Sequence, residues 1–175
     1  MKLGGIEAGG TKMVCAIGDE QGNIFDRAVF PTETPDITVP KMIDYFWAKG
    51  IEALGIGCFG PVDLNRKSDT YGFITSTPKL AWRFYDFAGA FREALQIPVG
   101  FDTDVNGAVL GEVRFGAAKG CENAIYITIG TGVGVGVYIN GKLLHGLMHP
   151  EGGHIFLQKH PEDTYAGCCP YHGAC

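Results

Sequence analysis

The sequence predicts an α/β protein on three grounds. Apolar runs of strand length end in glycine-rich or polar turns, and they recur as one unit: residues 3–30 and residues 124–145 both read strand, Gly-Thr turn, strand, polar glycine turn, strand. Other segments carry apolar residues at helical spacing. A length of 175 residues with 46% hydrophobic and 19% charged residues is enough for a real core and excludes a disordered chain. Two copies of one three-strand unit suggest two related lobes, each offering a glycine turn to a shared cleft. Two unrelated glycine hairpins would read the same way.

Taken in order, residues 2–7 and 12–18 are strands joined by Ala8-Gly9-Gly10-Thr11, and a polar turn leads to a third strand over 24–30. Residues 31–40, rich in proline, are expected to form a loop, followed by a helix over 41–49 that stops at Gly50. Residues 53–59 suit a buried strand broken by Gly60-Pro61. Asp86 can cap a helix running to Gln96, with Phe87, Phe91, Ala94 and Leu95 on one face. A strand over 97–101 and a helix from Asp104 to about Gly116 follow. Residues 124–129 and 133–139 form the second hairpin around Gly130-Thr131-Gly132, and residues 142–145 a third strand.

The balance of 14 Lys and Arg against 19 Asp and Glu, with no basic block, argues against a nucleic-acid binder. Glu7 interrupts what a signal peptide would need as its apolar stretch, and the uncharged run over 123–141 is too rich in Gly and Thr for a membrane helix. A cytoplasmic protein is expected, with thiols rather than disulfides. Cys15, Cys58 and Cys121 lie in apolar surroundings and read as small buried hydrophobes. Cys168, Cys169 and Cys175 crowd the end of the chain, and His145, His149, His154, His160 and His172 all fall in its last quarter.

That crowding has a metal-ligand spacing. His154, Cys169, His172 and Cys175 read H-x14-C-x2-H-x2-C, and zinc takes four N or S ligands in a tetrahedron, two of which one tight turn can present. Cys168 can stand in for Cys169, but only Cys169 keeps both x2 intervals. A full ligand set reads as structural, since no position stays open for water. Glu151 in Pro150-Glu151-Gly152-Gly153-His154 is either a surface acid, the plainer reading, or a group held against a polyhydroxylated substrate.

Phosphate chemistry is suggested by the turns. In Glu7-Ala8-Gly9-Gly10-Thr11-Lys12, glycines permit a left-handed backbone that gathers N–H groups into one concavity, Thr11 adds a hydroxyl and Lys12 a positive charge. Gly130-Thr131-Gly132-Val133-Gly134 offers the same donors. Either turn alone is also an ordinary hairpin, and neither matches a P-loop or a dinucleotide fingerprint. Asp104, in Asp102-Thr103-Asp104-Val105-Asn106-Gly107, is either the cap of the following helix or a base that takes a proton from a substrate hydroxyl.

Together, Gly4 to Lys12, Gly60-Pro61-Val62-Asp63, Asp102 to Gly107, Ile129 to Gly134 and Glu151 to His154 occur in the order found in the ROK family of sugar kinases, which the chain resembles over its whole length. The tail Cys169-Pro170-Tyr171-His172-Gly173-Ala174-Cys175 is similar to the fructokinase branch. The resemblance implies an actin/hexokinase-like (ribonuclease-H-like) fold of two lobes: residues 1–116 as the N-terminal lobe and residues 117–175 as the start of a C-terminal lobe that is incomplete in this chain. The family's remaining part supplies the adenosine pocket and a further sugar-contacting Glu.

The implied activity is ATP-dependent phosphorylation of D-fructose at the 6-hydroxyl, with other hexoses or an inactive zinc-binding fragment as rival readings. By the same resemblance, Gly9, Gly10, Thr11 and Lys12 form the first phosphate loop and Gly130, Thr131 and Gly132 the second. Asp104 matches the general base, Gly60, Pro61, Asn106 and Glu151 match positions around the sugar, and His154, Cys169, His172 and Cys175 match zinc ligands. Structural Zn2+, Mg2+ with ATP, a sugar partner, and a homodimer at full length are implied as well, with neither nucleic acid nor membrane.

Overall fold

The structure is a computed structural model and describes residues 1–130, 132–167, 169 and 173. Strands β1 (Leu3–Ala8), β2 (Lys12–Gly18) and β3 (Ile24–Pro31) form an antiparallel meander. β4 (Ala53–Cys58) and β7 (Val99–Thr103) extend it in parallel, giving a sheet of order β3-β2-β1-β4-β7. Helix α1 (Pro35–Trp47) links β3 to β4, and helix α2 (Phe87–Leu95) precedes β7. Two short paired strands, β5 (Phe73–Ile74) and β6 (Tyr85–Asp86), and a 3-10 turn over Leu80–Trp82 fill the connection between β4 and α2. Helix α3 (Asp104–Phe115) leads to the second meander, β8 (Ala124–Ile129), β9 (Val133–Ile139) and β10 (Lys142–Leu143), in the order β10-β9-β8. The repeated unit is therefore a pair of three-strand antiparallel meanders, as its pattern predicts.

Alternation along β1 and β4 sorts the two faces of the large sheet. Ile6, Ala8, Leu54, Ile56 and Cys58 point into a core shared with Met13, Cys15, Met42, Phe46, Phe87 and Phe91. Trp82 closes this core edge-on to Phe87, with ring centroids 5.6 Å apart, and its indole N–H donates to the Glu33 carbonyl at 2.8 Å. On the other face the odd-numbered positions of β4, Ala53, Gly55 and Gly57, are small. A Cβ on Gly57 would stand 3.3 Å from the Cα of Asp104, and one on Gly107 would stand 3.7 Å from the Cα of Gly57. The first turn of α3 thus lies directly on β4.

The second sheet presses on the same helix from beyond it, where a Cβ on Gly134 would meet a methyl of Val105 at 2.7 Å. Helix α3 touches β1, β4 and β7 on one side and β8 and β9 on the other. Glycine is required here by close approach, and the result is that the N-terminus of α3 sits between two sheets.

Three expectations need correction. Residues 31–40 are not all loop, because α1 already begins at Pro35. Proline at the first helical position needs no N–H partner there, and the buried Thr38 hydroxyl donates to the Pro31 carbonyl and accepts from the Glu33 N–H, both at 3.1 Å. Pro40 lies inside the helix and removes one rung of its ladder, a cost offset by burial of Val39, Met42 and Phe46. Cys121 is exposed, whereas Cys15 and Cys58 are buried, the thiol of Cys15 being pushed up to about 12 by that burial. The third strand of the second meander ends at Leu143 rather than His145.

Candidate active site

A cleft of about 900 Å³ opens beside the N-terminus of α3. Gly10, from the turn between β1 and β2, lines it, as do Gly130 and Gly132 from the turn between β8 and β9. The walls are completed by Gly60-Pro61, by Thr103-Asp104, and by the segment from His149 to His154. The two glycine turns of the repeated unit thus open on one space.

Their geometry differs from the expected one. Gly9, Gly10 and Gly130 do not adopt a left-handed backbone. The N–H of Gly9 donates within its own turn to the Lys12 carbonyl, and that of Gly130 to the Gly132 carbonyl, both at 2.9 Å. Glycine serves here by lacking a side chain. A Cβ at Gly9 would stand 2.8 Å from the Lys12 carbonyl oxygen, while the Cβ positions of Gly130 and Gly132 have no atom of another described residue, chain neighbours aside, within 4 Å and leave room for a ligand. Thr32 fixes the first turn from behind: its hydroxyl donates to the Gly9 carbonyl at 2.8 Å and its N–H to the Thr11 carbonyl at 3.1 Å. Gly9, Thr11 and Lys12 belong to that turn without lining the cleft, and Thr11 and Lys12 are exposed.

Asp104 is the first residue of α3, and the cap is Thr103, whose hydroxyl accepts the Asn106 N–H at 3.2 Å. With the cap supplied by its neighbour, the Asp104 carboxylate is left to face the cleft, accepting the adjacent Val105 N–H at 2.9 Å and its own backbone N–H. Burial raises this carboxyl above the ordinary aspartate value; the Val105 N–H opposes the shift, and the charges of Glu7 and Glu151 add to it. The outcome is a half-buried carboxylate of enhanced basicity at a cleft wall.

Across from it, Glu151 lies in the left-handed region, with φ of 47°, which costs a residue with a side chain about 1–3 kcal/mol. Its Oε1 is 3.1 Å from His149 Nδ1, and its Oε2 is 3.9 Å from His154 Nε2. The hydrogen bond from His149 holds the Glu151 carboxyl below its usual range in spite of burial. Gly60 completes the contact, since a Cβ there would meet Glu151 Oε1 at 3.2 Å. Glu151 is therefore an exposed acid, its side chain 47% accessible, that its neighbours hold in place.

His154 turns its other nitrogen toward the tail, with Nδ1 3.8 Å from Cys169 Sγ. Tetrahedral ligands at the usual Zn–N and Zn–S lengths would stand about 3.6 Å apart, so this pair fits two corners of a zinc site. Cys169 and Gly173 exchange backbone bonds of 3.0 and 2.9 Å. His172 and Cys175, like Thr131 and Cys168, lie outside the described residues, and among the described residues no group of three or more possible ligands gathers around one point.

Asn106 departs from its expected place. It is 1% exposed, does not line the cleft, and its amide donates to Asp102 Oδ1 at 2.7 Å. Asp102 Oδ2 in turn meets His145 Nε2 at 2.7 Å. The triad ties α3 to β7 and to the segment after β10, so Asn106 stands behind the wall that carries Asp104.

His149 and Arg83 line the cleft without having been singled out by sequence spacing. The Arg83 Nε donates to the Thr77 carbonyl at 2.7 Å, a bond between residues six apart in a loop that no periodicity reveals. His149 had one available signal, its position two residues before Glu151.

Residues 3–175 match the ROK family. The chain belongs to that family. As a ROK protein it is 58% identical over 173 residues to a relative from Bacillus subtilis (strain 168), covering 99% of this chain and 58% of the relative. It is 47% identical over 175 residues to the fructokinase of Pediococcus pentosaceus, covering 100% of this chain and 61% of that protein. Among solved structures, a ROK family glucokinase from Streptomyces griseus in complex with glucose and AMPPNP superimposes with a TM-score of 0.72 at 32% identity, covering 89% of this chain and 50% of that one. The fold is accordingly actin/hexokinase-like. The chain spans 58% and 61% of the length of the two relatives from Bacillus and Pediococcus. No helix among the described residues is long and apolar enough to cross a membrane.

Proposed function

We propose that the protein transfers the γ-phosphoryl group of Mg-ATP to the 6-hydroxyl of D-fructose, releasing fructose 6-phosphate and ADP. The observation that carries this reading is the opening of both glycine turns and the raised carboxyl of Asp104 on one cleft. The phosphates lie between the first turn, Gly9 to Lys12, and the second, Gly130 to Gly132. Lys12 is the cation of these turns, and Thr11 and Thr131 supply hydroxyls.

Asp104 orients the sugar hydroxyl and takes its proton as the oxygen attacks phosphorus. The new O–P bond forms as the bond to the β-phosphate oxygen breaks, and ADP carries away the charge. Positioning and charge neutralisation do most of this work, with the base contributing the proton's destination. Gly60, Pro61 and Glu151 border the sugar. A Glu151 oxygen that faces the cleft accepts from sugar hydroxyls, which suits a carboxylate kept ionised. Asn106 acts from behind this wall and is not carried forward as a sugar ligand.

In this reading residues 1–116 and 117–175 belong to the two lobes, α3 lies at their junction, the protein is cytoplasmic, and at full length it is a homodimer. His154, Cys169, His172 and Cys175 would hold zinc, whose chemistry here is structural: it pins the tail to the segment bearing Glu151. Support for the pair His154 and Cys169 comes from their 3.8 Å spacing.

Fructose is favoured over glucose because a fructokinase is 47% identical to this chain, against 32% for the glucose-bound glucokinase. The test is kcat/KM for ADP release with fructose, glucose, mannose and N-acetylhexosamines. Fructose should lead by about tenfold or more. Leadership by another sugar would reassign the substrate, and no sugar-dependent ADP release would remove the kinase reading.

A further inference from the structure

We infer that His149 is a positioning residue: as a neutral imidazole carrying its proton on Nδ1, it couples the backbone of the loop after Gly60-Pro61 to the orientation of Glu151. The inference rests on the reading of the cleft as a sugar site and adds to it the device that sets one of its walls.

The tautomer follows from the neighbours. Val62 N–H points at His149 Nε2 at 3.3 Å, and an N–H can only be received by a nitrogen that bears a lone pair. Nε2 is therefore unprotonated, and the ring's one proton sits on Nδ1. Nδ1 stands 3.1 Å from Glu151 Oε1, and a carboxylate can only accept. Both bonds run in one direction: backbone N–H to imidazole, imidazole to carboxylate. The side chain of His149 is 5% exposed, so water does not compete for either nitrogen.

The arrangement is held on each side. Val62 pairs across to Ile74, and both residues are fully buried, so the donor belongs to a rigid part of the first lobe. At the acceptor end, Glu151 keeps a left-handed backbone, which persists only where its surroundings over-determine it. Gly60 leaves the space beside Oε1 clear. His149 engages Oε1 of Glu151, while Oε2 stands 3.9 Å from His154 Nε2, beyond hydrogen-bond length, so the imidazole fixes which lone pairs a sugar meets. Glu151 is the group that touches substrate, and His149 acts through it.

Two substitutions separate the two bonds. His149→Asn offers an amide N–H near the position of Nδ1 and lacks Nε2. His149→Gln reaches the position of Nε2 with an acceptor and offers nothing at Nδ1. The expected result in steady-state kinetics of the purified protein is a rise of about tenfold or more in the sugar KM for His149→Gln. The ATP KM should stay within about twofold, and His149→Asn should keep the sugar KM within about threefold of wild type. Equal sugar KM values for the two variants, or parallel changes in both substrates, would overturn the inference.

Long-range proton–nitrogen NMR of the wild-type imidazole tests it without turnover. Nδ1 should be protonated and Nε2 bare at neutral pH. An Nε2–H tautomer or an imidazolium would overturn the assignment even if the enzyme phosphorylates fructose. Absence of sugar turnover with the expected tautomer would instead count against the function proposed for the cleft, leaving the coupling of Val62, His149 and Glu151 in place.

Discussion

No side chain fits at Gly136, because a Cβ there would stand 2.1 Å from the carbonyl oxygen of Val105. Strand β9 and the first turn of α3 are in backbone contact, and Asp104 is the residue just before Val105. The second glycine turn is carried by the same strand. The approach of β9, and of the glycine turn at its start, to the residue after Asp104 therefore depends on the missing side chain at Gly136.

Gly136→Ala should cost about 1–3 kcal/mol or more of stability, since the obstacle is backbone and cannot rotate away. It should also depress turnover in whatever fraction remains folded. Gly55→Ala, whose Cβ position has nothing within 4 Å, is the matched control and should change stability by less than about 0.5 kcal/mol. Urea unfolding of both variants checks this, and equal midpoints would mean that β9 does not press on α3.

The raised carboxyl of Asp104 makes stability depend on pH in a defined direction. The folded protein holds that proton more tightly than the unfolded chain, so its stabilising contribution is full below the unfolded aspartate value. It is lost as pH rises through the folded value. Asp104→Asn should accordingly be more stable than wild type at about pH 7.5, with the advantage disappearing near about pH 3. Denaturation midpoints at the two pH values decide it; an advantage that grew in acid would contradict the sign.

Asn106→Ala should act on stability rather than on substrate affinity. Removing the amide takes one donor, at 2.7 Å, from the half-buried Asp102 Oδ1, which keeps the Thr103 N–H at 2.8 Å, so the cost is that of one hydrogen bond to a charged group, about 1–2 kcal/mol. The sugar KM should move by less than about threefold. A large rise in sugar KM with unchanged stability would return Asn106 to the sugar-binding wall.

Much of this architecture can be read from the chain itself, because the signals are local. The hairpin at residues 124–139 follows from alternation around a glycine turn, and the cap at Asp86 from one side chain and one N–H, Gly89 N donating to it at 2.8 Å. The start of α1 is hidden by proline chemistry, since Pro35 and Pro40 mark a loop unless the tertiary core rewards a helix. The exchange of roles between Thr103 and Asp104 is a matter of one residue, and spacing cannot resolve it. His149 is harder still: its partners are Val62 and Glu151, and only folding brings the first of these, 87 residues away, into contact. Asn106 is divided for the opposite reason, as the family resemblance suggests sugar while its burial and its bond to Asp102 suggest scaffold.

Metal analysis should find about one zinc per chain, released together with a loss of stability by a strong chelator. Cys169→Ser combined with His172→Ala should abolish it. Because His154 Nε2 faces Glu151 Oε2, metal removal should raise the sugar KM more than the ATP KM. Unchanged metal content in the double variant would mean that the ligands lie elsewhere.

Turnover of Asp104→Asn with fructose and Mg-ATP decides whether Asp104 is the base of this cleft. Asparagine keeps the shape and the acceptor for Val105 N–H but cannot take the proton of the attacking hydroxyl. With Asp104 as the base, kcat should fall by about 10²–10⁴-fold while fructose and ATP still bind within about threefold of wild-type affinity. Full kcat in that variant would contradict the assignment of Asp104 as the base of this cleft.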